Sequence, residues 1–125
     1  SHWDFSNEVL RLTEGRGVDL VFEHIGPATW RRSMKSLAKG GRLVTCGATT
    51  GPIVELDLRF FFTKELSVTG CYMGSRQELD KVLSLVEEEK LKPVLDTVFA
   101  LEDAVKAQAV MESRNFFGKL VLRVK

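Results

Sequence analysis

The sequence predicts an α/β fold built on parallel strands, and three observations carry that prediction. Short apolar runs alternate with segments of helical periodicity along the chain. Residues 18–25, VDLVFEHI, read as a mostly buried strand, followed by an amphipathic stretch and a second apolar run at 42–46. Each of these runs ends in a polar, glycine-containing tip, where parallel sheets bind ligands.

The elements follow in order. Ser6 is placed to cap a helix running to about Glu14, with Val9, Leu10 and Leu12 apolar and Gly15 as its stop. After the first strand, Pro27 suits a first helical turn. Trp30, Met34, Leu37 and Ala38 recur at helical spacing, and Gly40–Gly41 are read as the end of that helix. RLVTC at 42–46 is the next strand and GATTGP a turn. Asp57 suits the cap of a short helix, LRFFFTKE, ahead of a third strand at 66–72. Ser75 and Glu78 form a capping box for a helix whose apolar face is Leu79, Val82, Leu83 and Val86, and Pro93 forbids its continuation. A short strand at 94–99, a helix over LEDAVKAQAVMES and a last strand at 119–124 complete the pattern. Crossovers of this length between parallel strands are right-handed.

Composition narrows the function classes. A net charge of +1 argues against nucleic acid or an anionic membrane surface as partner. No apolar run approaches the ~20 residues that cross a bilayer, and the opening residues SHWDFSNEV carry no apolar signal region. The absence of an initiator Met is read as processing or as a piece of a longer chain. The two cysteines, Cys46 and Cys71, sit near strand ends outside any CxxC pair; they are expected to be unpaired, buried or half-buried thiols of a reducing compartment, the cytoplasm, with a disulfide as the alternative.

Chemistry would sit where three strand tips converge: His24-Ile25-Gly26, Cys46-Gly47-Ala48 and Cys71-Tyr72-Met73-Gly74. Small residues there let a ligand approach the backbone, whose carbonyls and amides could grip a carboxamide; glycines that simply make turns are the competing reading. His24 is either a proton shuttle or a polar strand end. No His or Cys lies at metal-ligand spacing, and no GxSxG elbow is present. Phe60-Phe61-Phe62 are read as aromatics pressed into the core rather than as a stacking platform. Arg31, Arg32 and Lys35 form a basic cluster, read as a solvated face before a phosphate site. Asn115 and Lys119 flank a turn from which either could reach a pyrophosphate. A phosphate-binding GxGxxG is missing from the chain.

GRGVDLVFEHIG, LAKGGRLVTCGATTG, ELSVTGCYMGSRQEL and NFFGKLVLRV, in that order, resemble the C-terminal part of a medium-chain dehydrogenase/reductase of the zinc-type alcohol dehydrogenase and quinone oxidoreductase group. The resemblance covers essentially the whole chain. It implies the C-terminal half of a Rossmann-type parallel sheet, with residues 16–91 supplying strands four to six. It implies that residues 92–125 return toward a catalytic domain outside this chain. It implies an NAD- or NADP-dependent oxidoreductase that moves hydride between the cofactor and a carbonyl, enone or quinone, the isolated fragment being inactive because the phosphate loop that anchors the pyrophosphate is absent. The cofactor-contacting positions it implies are His24, Ile25 and Gly26, Cys46, Gly47 and Ala48, Cys71, Tyr72 and Met73, with Asn115 and Lys119 near the phosphates. It places the determinants of substrate, of NAD against NADP and of zinc upstream. It implies a homodimer through the edge of residues 66–72. A non-catalytic interaction or oligomerisation module is the competing reading.

Overall fold

Three parallel strands organise the first part of the molecule, for which a computed structural model describes residues 4–125. Val18–Glu23 (β1) pairs with Leu37–Thr45 (β2), and β2 pairs with Ser67–Gly70 (β3), giving the order β1-β2-β3. The helices Phe5–Leu12 (α1), Pro27–Lys35 (α2) and Leu58–Thr63 (α3) belong to the same compact unit, which ends at Met73. The second unit is Gly74–Lys125. It holds the helix Arg76–Glu87 (α4), the strand Leu95–Ala100 (β4), a single 3₁₀ turn, the helix Ala104–Ser113 (α5) and the strand Lys119–Arg123 (β5). β4 and β5 form a parallel pair of their own. The architecture is α/β throughout, as the alternating pattern predicts.

Several local signals act as read. Pro27 opens α2, and Asp57 caps α3 by accepting from the Arg59 and Phe60 amides at 2.9 and 3.2 Å. At α4, Ser75 Oγ accepts from the Glu78 amide while the Glu78 carboxylate accepts from the Ser75 amide, so two orphan donors are satisfied. At α1 the cap is two residues earlier than expected. Asp4, not Ser6, is the capping residue, and its carboxylate takes both the amide and the hydroxyl of Ser6. That carboxylate competes better than a neutral hydroxyl for the helix's free N–H groups. Leu12, one of the helix's apolar residues, is exposed.

The larger departure is the end of α2. It stops at Lys35 with Ser36 as its cap, and Leu37–Ala38 belong to β2 rather than to the helix. The cause lies in Gly17. A Cβ there would sit 2.6 Å from the Ser36 carbonyl oxygen, so only glycine lets the chain come close enough for the Val18 amide to reach that oxygen at 2.9 Å. Strand pairing thus claims Leu37 before the helix can. Gly40–Gly41 then lie inside β2, where the register slips between Val18↔Leu37 and Leu20↔Arg42, and Gly40 donates its amide to the Lys64 carbonyl at 2.8 Å.

The core of the first unit is Met34, Leu37, Leu43 and Leu66, with Val21, Trp30, Phe60 and Phe61 packed against it. Phe60 and Phe61 behave as the aromatic core expected of that run; Phe62 is exposed. The strand read as mostly buried is buried on one side only. Side chains alternate along β1, so Val21 and Glu23 face the core while Leu20 and Phe22 stand exposed at 58% and 63%. In the second unit α5 packs on the β4–β5 pair and buries Ala107, whereas Leu79, Val82, Leu83 and Val86 of α4 are exposed.

Candidate functional site

The C-terminal ends of β1, β2 and β3 carry the candidate site, and a buried carboxylate at the end of β1 holds its first edge. Glu23 is 3% exposed. It accepts from the Ile25 amide at 2.7 Å, the Gly26 amide at 3.2 Å, the Thr29 hydroxyl at 3.0 Å and the Ser33 hydroxyl. Burial pushes this carboxyl up, and the hydrogen bonds from Ser33, the Ile25 and Gly26 amides and Thr29 together outweigh burial, leaving it below its ordinary range. The network ties the His24–Gly26 tip to the first two turns of α2. The sequence reading passed over Glu23; its signal was an acid inside an apolar strand, with Thr29 and Ser33 one helical turn apart on the next segment.

The second tip is stitched to the first. The Ile25 carbonyl accepts from both the amide and the hydroxyl of Thr50, each at 2.8 Å, and the His24 carbonyl accepts from the Thr49 hydroxyl at 3.1 Å. The Thr50 hydroxyl also meets the Ala28 amide at 3.1 Å. Gly26 adopts φ +93°, and a Cβ on it would lie 3.0 Å from the Gly51 carbonyl oxygen; a Cβ on Gly47 would lie 2.7 Å from that of His24. These glycines therefore make turns and also admit a close approach, but between two tips of the chain itself. The Ile25 carbonyl, one of those read as available to grip a carboxamide, is fully used by Thr50.

An open cavity of about 390 Å³ lies between the tips. Gly26, Cys46, Gly47, Ala48, Cys71 and Tyr72 all line it, with Thr45 and Trp30. Six of the expected positions thus converge. His24 lies instead on the exposed sheet face, its ring 6.3 Å from that of Phe22. Met73 is largely exposed, with φ +54°. Asn115 and Lys119 belong to the second unit, where the Lys119 amide donates to the Val94 carbonyl at 2.8 Å and starts β5. The basic cluster is divided: Lys35 donates to Asn7 at 2.7 Å, and the Arg32 guanidinium lies over the Phe5 ring, both toward α1. A larger, mostly apolar groove of about 740 Å³ between α2 and residues 53–60 contains none of the expected positions.

Both cysteines are unpaired but exposed, not buried or half-buried as expected. Each lies one residue past the paired end of its strand, where no layer covers it. Among the described residues no three His, Cys, Asp or Glu side chains gather as a metal site, and no helix is long and apolar enough to cross a membrane.

Residues 3–122 match the family model described as zinc-binding dehydrogenase. The chain belongs to that family. This zinc-binding dehydrogenase segment is 32% identical over 116 residues to a crotonyl-CoA reductase of Streptomyces avermitilis, covering 93% of this chain and 26% of that protein. It is 30% identical to a quinone oxidoreductase of Pseudomonas aeruginosa, covering 98% of this chain and 40% of the relative. A crystal structure of an NAD-dependent alcohol dehydrogenase superposes with a TM-score of 0.81 at 40% identity, over 99% of this chain and 36% of that one. The fold is therefore the C-terminal half of a Rossmann-type sheet with its flanking helices. The chain spans about a quarter to two-fifths of the length of these relatives.

Proposed function

We propose that this chain supplies the nicotinamide end of the cofactor site in an NAD(P)-dependent oxidoreductase. The parent enzyme moves hydride between the cofactor and a carbonyl, enone or quinone. The carrying observation is the convergence of Gly26, Cys46–Ala48 and Cys71–Tyr72 on one cavity at the C-terminal ends of parallel strands. The fit is one of shape: Gly26, Gly47, Ala48 and Gly51 all line the cavity, so little side-chain bulk stands between a flat ring and the backbone. When bound, the nicotinamide supplies the hydride chemistry. The chain's own part is to position it. Glu23 fixes the first tip, Thr50 fixes the second against it, and Gly47 lets the second tip close onto the His24 carbonyl. With the Ile25 and Ala48 carbonyls and the Cys46 and Cys71 amides engaged within the chain, the polar grip falls to the remaining groups of the 46–48 and 71–73 backbones. A cytoplasmic setting suits the two unpaired thiols.

The test is a titration of the isotope-labelled chain with NADH and NADPH, followed by amide NMR shifts. The expected result is millimolar binding, weak because the chain lacks a phosphate loop, with shifts concentrated at residues 46–48 and 71–73. Absence of any shift at those residues at millimolar cofactor overturns the reading. A second reading, a self-associating module, is favoured by the exposed Leu20 and Phe22 and by β3, whose outer edge pairs with no strand among the described residues. It predicts a dimer through residues 66–72 in light scattering; a monomer at high concentration removes it.

A further inference from the structure

The two exposed cysteines occupy matching places on neighbouring strands. Thr45 and Gly70 are register partners in the parallel β2–β3 ladder. Cys46 and Cys71 are the next residues on each strand, and the Cys71 amide continues the ladder by donating to the Thr45 carbonyl at 2.9 Å. Adjacent strands lie about 4.8 Å apart, and disulfides span Cα separations of about 4.4–6.8 Å. Both residues line the same open cavity and both are unpaired. Parallel strands normally hold neighbouring Cβ vectors side by side rather than toward each other. Here both cysteines lie past the last pair, and Gly70 before Cys71 can absorb a small rotation. A Cβ on Gly70 would meet nothing within 4 Å, so the space on that side of the strand is open.

From this juxtaposition we infer that Cys46 and Cys71 form a cross-strand dithiol that closes to an intramolecular disulfide by exchange with a low-molecular-weight disulfide such as oxidised glutathione. In the first step one cysteine thiolate attacks a sulfur of the oxidant. The oxidant's S–S bond breaks, one glutathione thiolate leaves, and a mixed disulfide remains on the protein. In the second step the other cysteine thiolate attacks the protein sulfur of that mixed disulfide and displaces the second glutathione thiolate. The two protein thiols are oxidised, the oxidant is reduced to two thiols, and the protons lost by the cysteines end on the glutathiones. Closure is favoured because the second thiol is held beside the first, at an effective concentration far above that of free glutathione.

The bridge would lie across two of the three tips that line the cavity and so narrow it. That consequence rests on the cofactor reading above; the bridge itself does not.

The test is incubation of the whole chain with oxidised glutathione under native conditions, followed by intact mass and peptide mapping. The expected product has lost two hydrogens, carries no glutathione and yields a linked Cys46–Cys71 peptide. Cys46→Ser and Cys71→Ser each stop at one glutathione adduct. Those adducts are reversed by reduced glutathione at a concentration roughly ten-fold or more below that needed to open the bridge. A native chain carrying two stable glutathione adducts, or one that only cross-links between molecules, overturns the inference and leaves the cofactor reading standing. A bridged chain whose parent thiol form shows no cofactor-induced shifts removes the cofactor reading and leaves the dithiol.

Discussion

The two faces of the β1–β2–β3 sheet differ more than any other pair of regions in this molecule. One face packs Val21, Leu43 and the Glu23 carboxylate against α2 and α3, and there Leu37 and Leu43 are entirely shielded from solvent. The other shows Leu20 and Phe22 to solvent, with the His24 ring beside Phe22. Both faces carry apolar side chains from the same strands, so hydrophobicity alone does not separate them. Covering elements do. A parallel sheet is ordinarily covered on both sides because its crossovers lay helices on both faces. The described residues of this unit supply helices to one face, so its stability and the geometry of its tips rest on that face.

The largest effect expected from breaking the packed face is at Leu43. Leu43→Ala removes a fully buried side chain from the middle of β2 and leaves a cavity beside Leu37 and Met34. Such changes cost about 2–5 kcal/mol, and urea unfolding should show a lower midpoint, equivalent to that loss of free energy, without a change of slope. Next is Glu23→Gln. Its amide keeps the shape but brings an NH₂ group into a site built of donors, and hydrogen bonds to a charged group are worth about 1.5–3 kcal/mol each. Loss of stability with a local loss of amide-exchange protection at Ile25 and Gly26 is the expected result. Protection unchanged at those amides would sink the view that this carboxylate holds the tip.

The same carboxylate gives the packed face a pH dependence. Glu23 titrates below its ordinary value of 4.5 in the folded chain. Its contribution is complete above the unfolded value and is lost as pH falls through the folded one, since the unfolded state takes up the proton first. Stability should therefore decline on acidification below about 4.5. Exposed carboxylates held low by neighbours, such as Glu78 by the Ser75 amide and hydroxyl, contribute in the same direction. The difference between wild type and Glu23→Gln across the acid range isolates the buried group.

How much of this was legible in the sequence depends on whether the signal was local. The capping box at Ser75–Glu78, the Asp57 cap and Pro27 at the start of α2 were readable because each is settled within one turn of helix. The end of α2 was not, because Leu37 and Ala38 fit helical spacing, and the contact that claims them for β2 comes from Gly17, twenty residues away. The tips were legible as small residues after apolar runs, yet their internal bonding was not. Thr49 and Thr50 looked like turn residues, and only their registration against His24 and Ile25 shows that they consume the carbonyls a ligand was expected to use. Exposure was the hardest property to read. Phe22, Cys46 and Cys71 sit in or beside apolar runs that predict burial, and whether they are covered depends on neighbours outside those runs.

The smallest expected effect is on the open face, and it tests the comparison most sharply. Phe22→Thr keeps a strand-favouring residue on β1 while deleting the aromatic ring. A ring that is 63% exposed contributes little packing, so the unfolding free energy from urea titration should fall by no more than about 0.5 kcal/mol, the ordinary range for surface positions. A loss close to that of Leu43→Ala would mean that the face is covered in solution, and concentration then distinguishes by what. Cover by a second copy makes the penalty grow with protein concentration, because association adds to the stability of the folded state by mass action. Cover from within the same chain leaves it constant. A small, concentration-independent shift at Phe22 beside a large one at Leu43 would leave the asymmetry between the faces as a property of the isolated chain, and an added partner that restores sensitivity at Phe22 would then identify what the sheet is built to receive.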